Sequence, residues 1–245
     1  MAEIKALARA QLAGGGPGAV NLRAIAREMG TTSSALFRYF PSHADLLSAL
    51  LSDAYHALAD ALADAVDARP ADDHAGRWAA LCHAYRDWSL ASPAQFALTH
   101  GTPVPGYHAP MEATGPAAAR TITTALSVYA GAVAAGAADP ARTAVPASLD
   151  TGPLWEAILK DQAQAYQPWL AGIILTAWAS IIGYLSAEIF GSLTSLVADT
   201  GTLYRSHIRA VMTSMGYVAR LAEAATQPSC WPPCPPGPPA PCSSS

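Results

Sequence analysis

The chain has 245 residues, of which 51% are hydrophobic and 13% charged, and its net charge is −4. A chain of this length and composition can bury a sizeable core without disulfide bonds, which excludes an unstructured polar polypeptide. Residues 1–45 hold five basic and three acidic side chains, whereas the other 200 residues hold nine basic and 15 acidic. A cationic end on an acidic body is typical of a head that binds nucleic acid.

The hydrophobic pattern predicts an all-α chain, because Ala and Leu recur every three or four residues and alternating strand patterns are rare. The predicted helices cover 3–13, 22–29, 33–39, 43–67, a stretch from Trp78 to Trp88, 111–136, 154–166, 168–191 and 200–223. Residues 99–110 and 136–153 are predicted loops, and the first is a candidate lid or pocket rim. A row of aspartates on the long helix is predicted to be a solvated face; its members are Asp53, Asp60, Asp64 and Asp67.

The C-terminal residues have a composition of their own, since eight of the last 18 are proline. This predicts a disordered tail over 227–245. Cys230 and Cys234 in the tail have Cys-x-x-x-Cys spacing, but no histidine lies near them, so we expect no metal site and no cofactor. The N-terminus lacks a secretory signal and the cysteines form no disulfide framework, which favours a cytoplasmic protein.

The most informative segment is 20–47, VNLRAIAREMGTTSSALFRYFPSHADLL. Asn21 is predicted to cap a first short helix, and Gly30 to end it in the left-handed conformation. Leu36 and Phe40 are predicted to be buried by a second short helix, and Ser42 to open a capping box for the long helix. Two short helices joined by a three-residue turn form a helix-turn-helix, which lays its second helix in the DNA major groove. Ordinary helical bundles contain such pairs too, but small hydroxyls followed by aromatic and Arg side chains favour DNA.

Over residues 4–51 the chain resembles the N-terminal domain of the tetracycline-repressor (TetR) family of bacterial transcription regulators, and SALFRYFPS is the most specific part. His43 stands where the family usually has a phosphate-binding Lys, and Phe37 replaces a common Tyr. Both changes weaken phosphate contact, so we expect a modest, salt-sensitive affinity. The resemblance and the residue types together give the predicted DNA-binding set: Arg23, Thr32, Ser33, Ser34, Phe37, Arg38, Tyr39 and His43.

The segment from Trp169 to Ala187 carries no charge and, at 19 residues, is long enough to cross a bilayer. No Lys or Arg cluster flanks it, which favours a buried helix covered by a second subunit. The resemblance likewise implies a homodimer, because family members dimerise through their last two long helices, here near 168–191 and 200–223. The spacing of Trp178 and Gly183 resembles a subgroup marked by Trp, His and Gly, although the expected His position is Ile182.

The resemblance also implies a body that binds a small apolar molecule and then releases DNA. Aromatic side chains with a few polar tips can line such a pocket near the two irregular segments. The predicted ligand contacts are Trp88, Phe96, His108, Met111 and Trp178. The predicted organisation is a DNA-binding domain over 1–45, a ligand-binding and dimerisation domain over 46–226, and the tail.

The sequence thus predicts a ligand-responsive repressor of a palindromic operator, not an enzyme. The pattern Gly14-x-Gly16-x-x-Ala19 matches a dinucleotide fingerprint, but it follows a helix instead of a strand. Two alternatives stay open. One is a helical small-molecule carrier that has lost DNA binding, and the other is a protein anchored in a membrane by residues 169–187.

Overall fold

The computed structural model describes residues 1–101, 106–143, 152–153, 155–156 and 169–218. Regular structure in these residues is helical, apart from one isolated β-bridge, which confirms the predicted all-α fold. The helices are α1 (Ala2–Gly15), α2 (Leu22–Glu28), α3 (Ser33–Phe37), α4 (His43–Asp67), α5 (His74–Ala91), α6 (Pro93–His100), α7 (Met111–Ala134), α8 (Leu170–Ile189) and α9 (Thr200–Ser214). Two short 3-10 turns cover Pro17–Ala19 and Pro140–Arg142.

The first four helices enclose one hydrophobic cluster, which we call the head cluster. It is built from α1, α2, α3 and the first two turns of α4, where the apolar positions of each helix face one another. Its buried members are Ile4, Ala8, Leu12, Val20, Leu22, Ile25, Ala26, Leu36, Phe40, Leu46, Leu47 and Leu50. Because α4 continues without a break into the rest of the chain, the predicted limit between residues 45 and 46 falls inside a continuous helix.

A second cluster, the body cluster, begins at Leu58 on the same helix α4. Helices α5, α7, α8 and α9 complete it, and its largest fully buried side chains include Trp78, Tyr85 and Tyr129. The Tyr129 hydroxyl donates to the backbone carbonyl of Met215 at 2.6 Å, which satisfies a polar group inside an apolar core. The body is therefore a packed helical bundle below the head.

The last described helix is shorter than predicted, because α9 ends at Ser214 and not near residue 223. Gly216 has a φ of 82°, and a Cβ there would lie 2.1 Å from the carbonyl oxygen of Asp139. Glycine is thus required both by the left-handed backbone and by the close approach. The next residue, Tyr217, forms the antiparallel bridge with Ala138 that ties the end of α9 to the end of α7.

Two further predictions are refined. Residues 93–100 form a separate helix, α6, since the chain breaks at Ser92 and Pro93 is favourable in a first helical turn. The predicted loop at 99–110 therefore starts two residues later, after His100. Of the predicted helix at 154–166, residues 155 and 156 are helical and the rest lies outside the described residues, as does the tail at 227–245.

Helix α8 is the one helix in the described part of the chain that is long and apolar enough to cross a membrane. Half of its apolar window is buried inside the body, and Ile174, Trp178 and Ile181 belong to the body cluster. A buried core helix passes the same test of length and composition, so this feature is weak evidence for a membrane span.

Candidate nucleic-acid interface

Helix α2 begins as the sequence predicts, because the Asn21 side chain caps it. Asn21 Oδ1 accepts hydrogen bonds from the backbone N–H groups of Arg23 at 2.9 Å and Ala24 at 3.2 Å. Val20, before the cap, and Ile25, in the first turn, are both buried in the head cluster, as in a hydrophobic staple. These contacts fix the direction in which the chain enters α2, and they leave Arg23 exposed.

The turn between α2 and α3 is closed by Gly30, whose φ of 63° lies in the left-handed region. The N–H of Gly30 donates to the carbonyl of Arg27 at 3.1 Å, and the N–H of Thr31 donates to the carbonyl of Ala26 at 2.9 Å. This pair of bonds is a Schellman motif, which satisfies the last carbonyls of α2. The prediction that glycine ends the first helix is confirmed, and the short turn holds α3 against α2.

Helix α3 buries one side and presents the other. Leu36 is buried in the head cluster, and so is Phe40 just after the helix, as predicted. The exposed side carries the Ser34 hydroxyl and the Phe37 ring. The helix ends at Phe37 and not at residue 39 as predicted, and Arg38 and Tyr39 are exposed in the turn that follows it. Such a surface can contact phosphates, base edges and thymine methyl groups.

Two of the predicted DNA contacts, Thr32 and Ser33, are partly engaged within the protein at the start of α3. Thr32 caps the helix, because its Oγ1 accepts from the N–H of Ala35 at 3.4 Å and lies 3.0 Å from Ser34 Oγ. Ser33 is half-buried. Thr32 and Ser34 are both exposed, and Ser34 makes no cap bond to the backbone in the described residues.

His43 occupies the first turn of α4 and is half-buried. Its Nε2 is buried and has no hydrogen-bond partner in the described part of the chain. Ser42 caps the same helix, since its Oγ accepts from the N–H of Asp45 at 3.1 Å and donates to Asp45 Oδ2 at 2.8 Å. The predicted Ser42 cap is thus present, but Asp45 bonds the Ser42 hydroxyl where a capping box has a bond to the Ser42 backbone N–H.

The charges of the head divide into two groups. Lys5 Nζ lies 2.8 Å from Asp53 Oδ1, and Arg9 Nη1 lies 3.3 Å from Asp53 Oδ2, so α1 is clamped to α4 by two ion pairs. The aspartate row is therefore partly paired instead of fully solvated. In the described residues Arg23, Arg27 and Arg38 are exposed and make no ion pair, and they are the cations that the head leaves free. The spacing of Lys5 and Arg9 puts both on one helix face, but nothing local in the sequence identifies Asp53 as their partner.

The predicted ligand contacts fall into different environments. Phe96 and Trp178 are buried members of the body cluster, and Trp88 is half-buried against it. Met111, the first residue of α7, is 55% exposed, and His108, three residues before the helix, is exposed too; neither belongs to the body cluster.

Phe96 and Trp178 belong to an aromatic group around His100. The ring of Tyr85 lies 5.0 Å from that of Trp178, and the Phe96 ring stacks on His100 at 5.1 Å. The Tyr85 hydroxyl lies 3.0 Å from His100 Nε2. Burial lowers the pKa of His100 to about 4, so the imidazole is neutral at neutral pH. Helical periodicity places Tyr85 in the core, but it gives no sign of this polar contact with α6.

Two shallow cavities lie between the head and the body. One, of about 250 Å³, and a second, of about 410 Å³, share Arg9, Leu12 and Gln95 in their linings. They are separate from the aromatic group, and none of the predicted ligand contacts lines them.

The body also contains an ion pair that sequence reasoning missed. Arg86 on α5 donates twice to Glu188 on α8, from Nε at 2.9 Å and from Nη2 at 2.6 Å, and the Glu188 side chain is 5% exposed. Burial by itself raises the pKa of Glu188, but hydrogen bonds from Arg86 and Thr200 bring it below its usual value. The two residues are 102 positions apart, so no local pattern pairs them.

Comparisons with known proteins agree with this architecture. The family model described as bacterial regulatory proteins, tetR family, matches residues 4–50, and that described as tetracyclin repressor-like, C-terminal domain, matches residues 78–211. The HTH-type transcriptional regulators Mb1846 of Mycobacterium bovis and Rv1816 of Mycobacterium tuberculosis are each 34% identical to this chain over 223 residues, covering 91% of it and 92% of their own length. The crystal structure of SCO4313 superposes with a TM-score of 0.66 at 30% identity, covering 86% of this chain and 94% of the other.

The first matched segment contains the head with α2, the Gly30 turn and α3. The second covers most of the body, from the second turn of α5 to within three residues of the end of α9. The relatives at 34% identity are named as transcriptional regulators, and the match covers almost their whole length. The chain therefore belongs to the TetR family, and it is a helix-turn-helix, DNA-binding transcriptional regulator.

Proposed function

We propose that this regulator is a cytoplasmic homodimer that represses transcription from a palindromic operator and is released from it by a small apolar molecule. Each subunit inserts its α3 helix into one major groove, and the two helices occupy successive grooves about 34–36 Å apart. The residues that contact DNA are those predicted from the sequence, with Ser34, Arg38 and Tyr39 reaching the groove and Arg23 the backbone. The domain division at 45/46 and 226/227 belongs to the same proposal.

The observation that carries the proposal is the exposed side of α3 together with Arg38 and Tyr39, which directly follow the helix. Tyr39 is 55% exposed and Phe37 39% exposed, so two aromatic residues are available there for contact with a partner. The neighbouring Arg38 is unpaired in the described residues and suits bidentate contact with guanine. A helix-turn-helix with a purely structural role would not require exposed aromatic and arginine side chains at this position.

The dimer is supported by α8. Half of its apolar window remains outside the body core, and Leu175 on that side is 39% exposed. Small residues follow Leu175 along the same face, including Ala179 and Gly183, both exposed, so a second α8 can approach closely. A two-fold dimer of this kind requires a two-fold operator.

The effector is supported by the aromatic group of Phe96, Trp178, Tyr85 and His100. Its rings are uncharged, and its polar atoms are the Tyr85 hydroxyl and the neutral His100 imidazole, which suits an uncharged, largely apolar molecule. A molecule that binds better to a conformer with a different spacing of the two heads would lower the DNA affinity by shifting the population.

The test is fluorescence anisotropy of the purified protein against the DNA upstream of its own gene and against a scrambled duplex, each titrated across salt. Tight binding to the upstream fragment alone is the expected result. Equal affinity for both duplexes that falls steeply as the salt concentration rises would mean that the protein contacts only the DNA phosphate backbone of these fragments and that its operator lies elsewhere. No binding to either duplex at low salt would refute the DNA proposal and support the carrier.

Variants locate the interface. Arg38→Ala is expected to cost roughly 1–3 kcal/mol of operator affinity and to relax specificity, since it removes a base contact. Arg23→Ala is expected to weaken all duplexes alike and to reduce the salt slope by about 1, as loss of a phosphate contact does. Arg142→Ala is the matched control, because it removes an exposed arginine of the body. Equal effects of Arg38→Ala and Arg142→Ala would refute the assignment of α3.

A further inference from the structure

The two cavities between the head and the body have mostly apolar walls. The smaller, of about 250 Å³, lies between α1, α4 and α6, and the larger, of about 410 Å³, lies between α1 and the corner that joins α5 to α6. Leu12 and Leu50 contribute to these walls, and the other apolar helix positions are alanines: Ala13, Ala54, Ala57, Ala91 and Ala94. Because an alanine side chain ends at Cβ, the helices leave space here instead of filling it.

Two long polar side chains separate the cavities from each other. Arg9 and Gln95 belong to both linings, and both are flexible side chains that reach water, since the Arg9 side chain is 41% exposed and Gln95 is half-buried. A change of rotamer at either residue joins the two spaces into one of the size of small-molecule sites, roughly 300–1,000 Å³. We call the two cavities together the junction site.

The charged groups at the junction site leave one positive charge without a full partner. Arg9 and Asp53 are the charged residues that line it. Lys5 Nζ already holds Asp53 Oδ1 at 2.8 Å, and Arg9 reaches Oδ2 at 3.3 Å through Nη1 alone. Two cations thus share one carboxylate, and the other guanidinium N–H groups of Arg9 form no hydrogen bond within the described residues. They are available to a second acceptor.

Gln95 adds a second hydrogen-bonding group to the same walls. Its backbone carbonyl accepts from Thr99 Oγ1 at 3.1 Å, whereas its side-chain amide forms no hydrogen bond in the part of the chain that the structure describes. The amide N–H groups can therefore donate to a molecule in either cavity. The walls thus combine an apolar surface with donors and one cation that has only a long, shared ion pair.

We propose that the junction site binds a small amphipathic carboxylate, with its carboxylate group on Arg9 and its apolar part against Leu12 and Leu50. The carboxylate supplies the negative charge that the group of Lys5, Arg9 and Asp53 lacks, and a guanidinium suits a carboxylate because two parallel hydrogen bonds can join them. The apolar part displaces water from the alanine-lined walls. The site lies outside the aromatic group of the body, so the inference goes beyond the proposed function and depends on neither operator nor effector.

The test is isothermal titration calorimetry of sodium octanoate into the full chain, with sodium acetate and octanol as comparison probes. Acetate carries only the carboxylate and octanol only the apolar part. We expect octanoate to bind at least about tenfold more tightly than either. Acetate binding as tightly as octanoate would mean a surface anion contact only, and octanol binding as tightly would mean an apolar cavity without charge recognition. Either result, or no binding of octanoate, would overturn the proposal.

Two variants of the charged group are expected to act in opposite directions. Arg9→Gln should weaken octanoate binding at least about tenfold, because it removes the cation that meets the carboxylate. Asp53→Asn should strengthen binding about threefold or more, because it removes the carboxylate that competes for Arg9. An unchanged octanoate Kd in Arg9→Gln, or weaker binding in Asp53→Asn, would contradict the assignment of Arg9.

The matched control is Arg120→Gln. Arg120 also pairs with an aspartate of α4, with Nη2 at 2.8 Å from Asp60 Oδ1, and its side chain is 47% exposed, but it does not line the junction site. Its octanoate Kd is expected to stay within about twofold of the wild-type value. A loss of affinity equal to that of Arg9→Gln would mean a general effect of charge and would overturn the site.

Hydrogen exchange locates the bound octanoate in the wild-type chain, and therefore decides the matter even if a variant does not fold. Saturating octanoate is expected to slow amide exchange in residues 9–16 and 92–97, which belong to the walls, and to leave residues 170–185 of α8 unchanged. Slower exchange confined to α8 would place octanoate in the body and overturn the junction site. Since neither measurement contains DNA, a failure to bind any operator would refute the proposed function and leave this inference standing.

Discussion

The buried imidazole of His100 makes a prediction about acid stability. Its pKa is about 4 in the folded protein, against an ordinary value of 6.5, because burial disfavours the charged form. As the pH falls through about 6.5, the unfolded chain takes up a proton at His100 and the folded chain does not. The unfolded state therefore binds more protons between about pH 6.5 and pH 4, and acid favours unfolding in that window.

The magnitude follows from the shift. One pKa unit corresponds to about 1.4 kcal/mol, so the neutral imidazole contributes about 3 kcal/mol at neutral pH, lost progressively as the pH falls to the folded pKa. Between about pH 7 and about pH 4.5 the loss is about 2 kcal/mol. His100→Gln cannot titrate, so the stability difference between wild type and variant should shrink by that amount over the same interval.

The assay is urea unfolding followed by circular dichroism, at about pH 7 and about pH 4.5 and at one protein concentration, since the stability of the proposed dimer would depend on concentration. His83 and His207 also have a pKa lowered by burial, but they are present in both proteins and cancel in the difference. His108→Gln, at an exposed position, is the control for the substitution itself. A stability difference that is the same at both pH values, or larger in acid, would refute the reasoning.

Three more predictions concern stability. Glu188→Ala should lower the free energy of unfolding by roughly 3–5 kcal/mol in chemical denaturation, because it leaves the Arg86 charge without its partner. Replacing Arg86 by Met and Glu188 by Leu together should restore most of that stability. No recovery in the double variant would show that the ion pair is not the cause. Gly30→Ala should lower the free energy of unfolding by about 1 kcal/mol, and Gly30→Asn by less, since Asn tolerates the left-handed region better. Equal losses of stability for the two variants in thermal unfolding would contradict this. Ser42→Ala should cost about 1 kcal/mol through the lost cap of α4, and an unchanged melting temperature would argue against it.

The features that the sequence predicts best are those set by neighbours along the chain. Asn21 caps α2 through bonds to the next residues, and Gly30 ends it because only a left-handed residue closes that turn. The apolar spacing likewise predicts the burial of Leu36 and Phe40. These signals sufficed to locate the helix-turn-helix and its exposed side.

Contacts between distant helices could not be predicted in the same way. Periodicity says which face of a helix is buried, but not which residue of another helix meets it. Arg86 and Glu188 illustrate this, and so do Tyr85 and His100. The pattern places Tyr85 on a helix and His100 in the loop predicted over 99–110, and nothing in it joins the two. The exposure of His108 and Met111 has the same origin, because closeness to an irregular segment does not fix the direction of a side chain.

The bridge between Ala138 and Tyr217 determines where the chain can be shortened. Tyr217 is 2% exposed, and its ring lies 6.4 Å from that of Trp78 and 6.0 Å from that of Tyr129. A stop codon after Val218 would thus keep every described core contact, whereas one after Ser214 would open the body beside Trp78. Among the described residues, the folded core therefore extends past α9 at least to Tyr217.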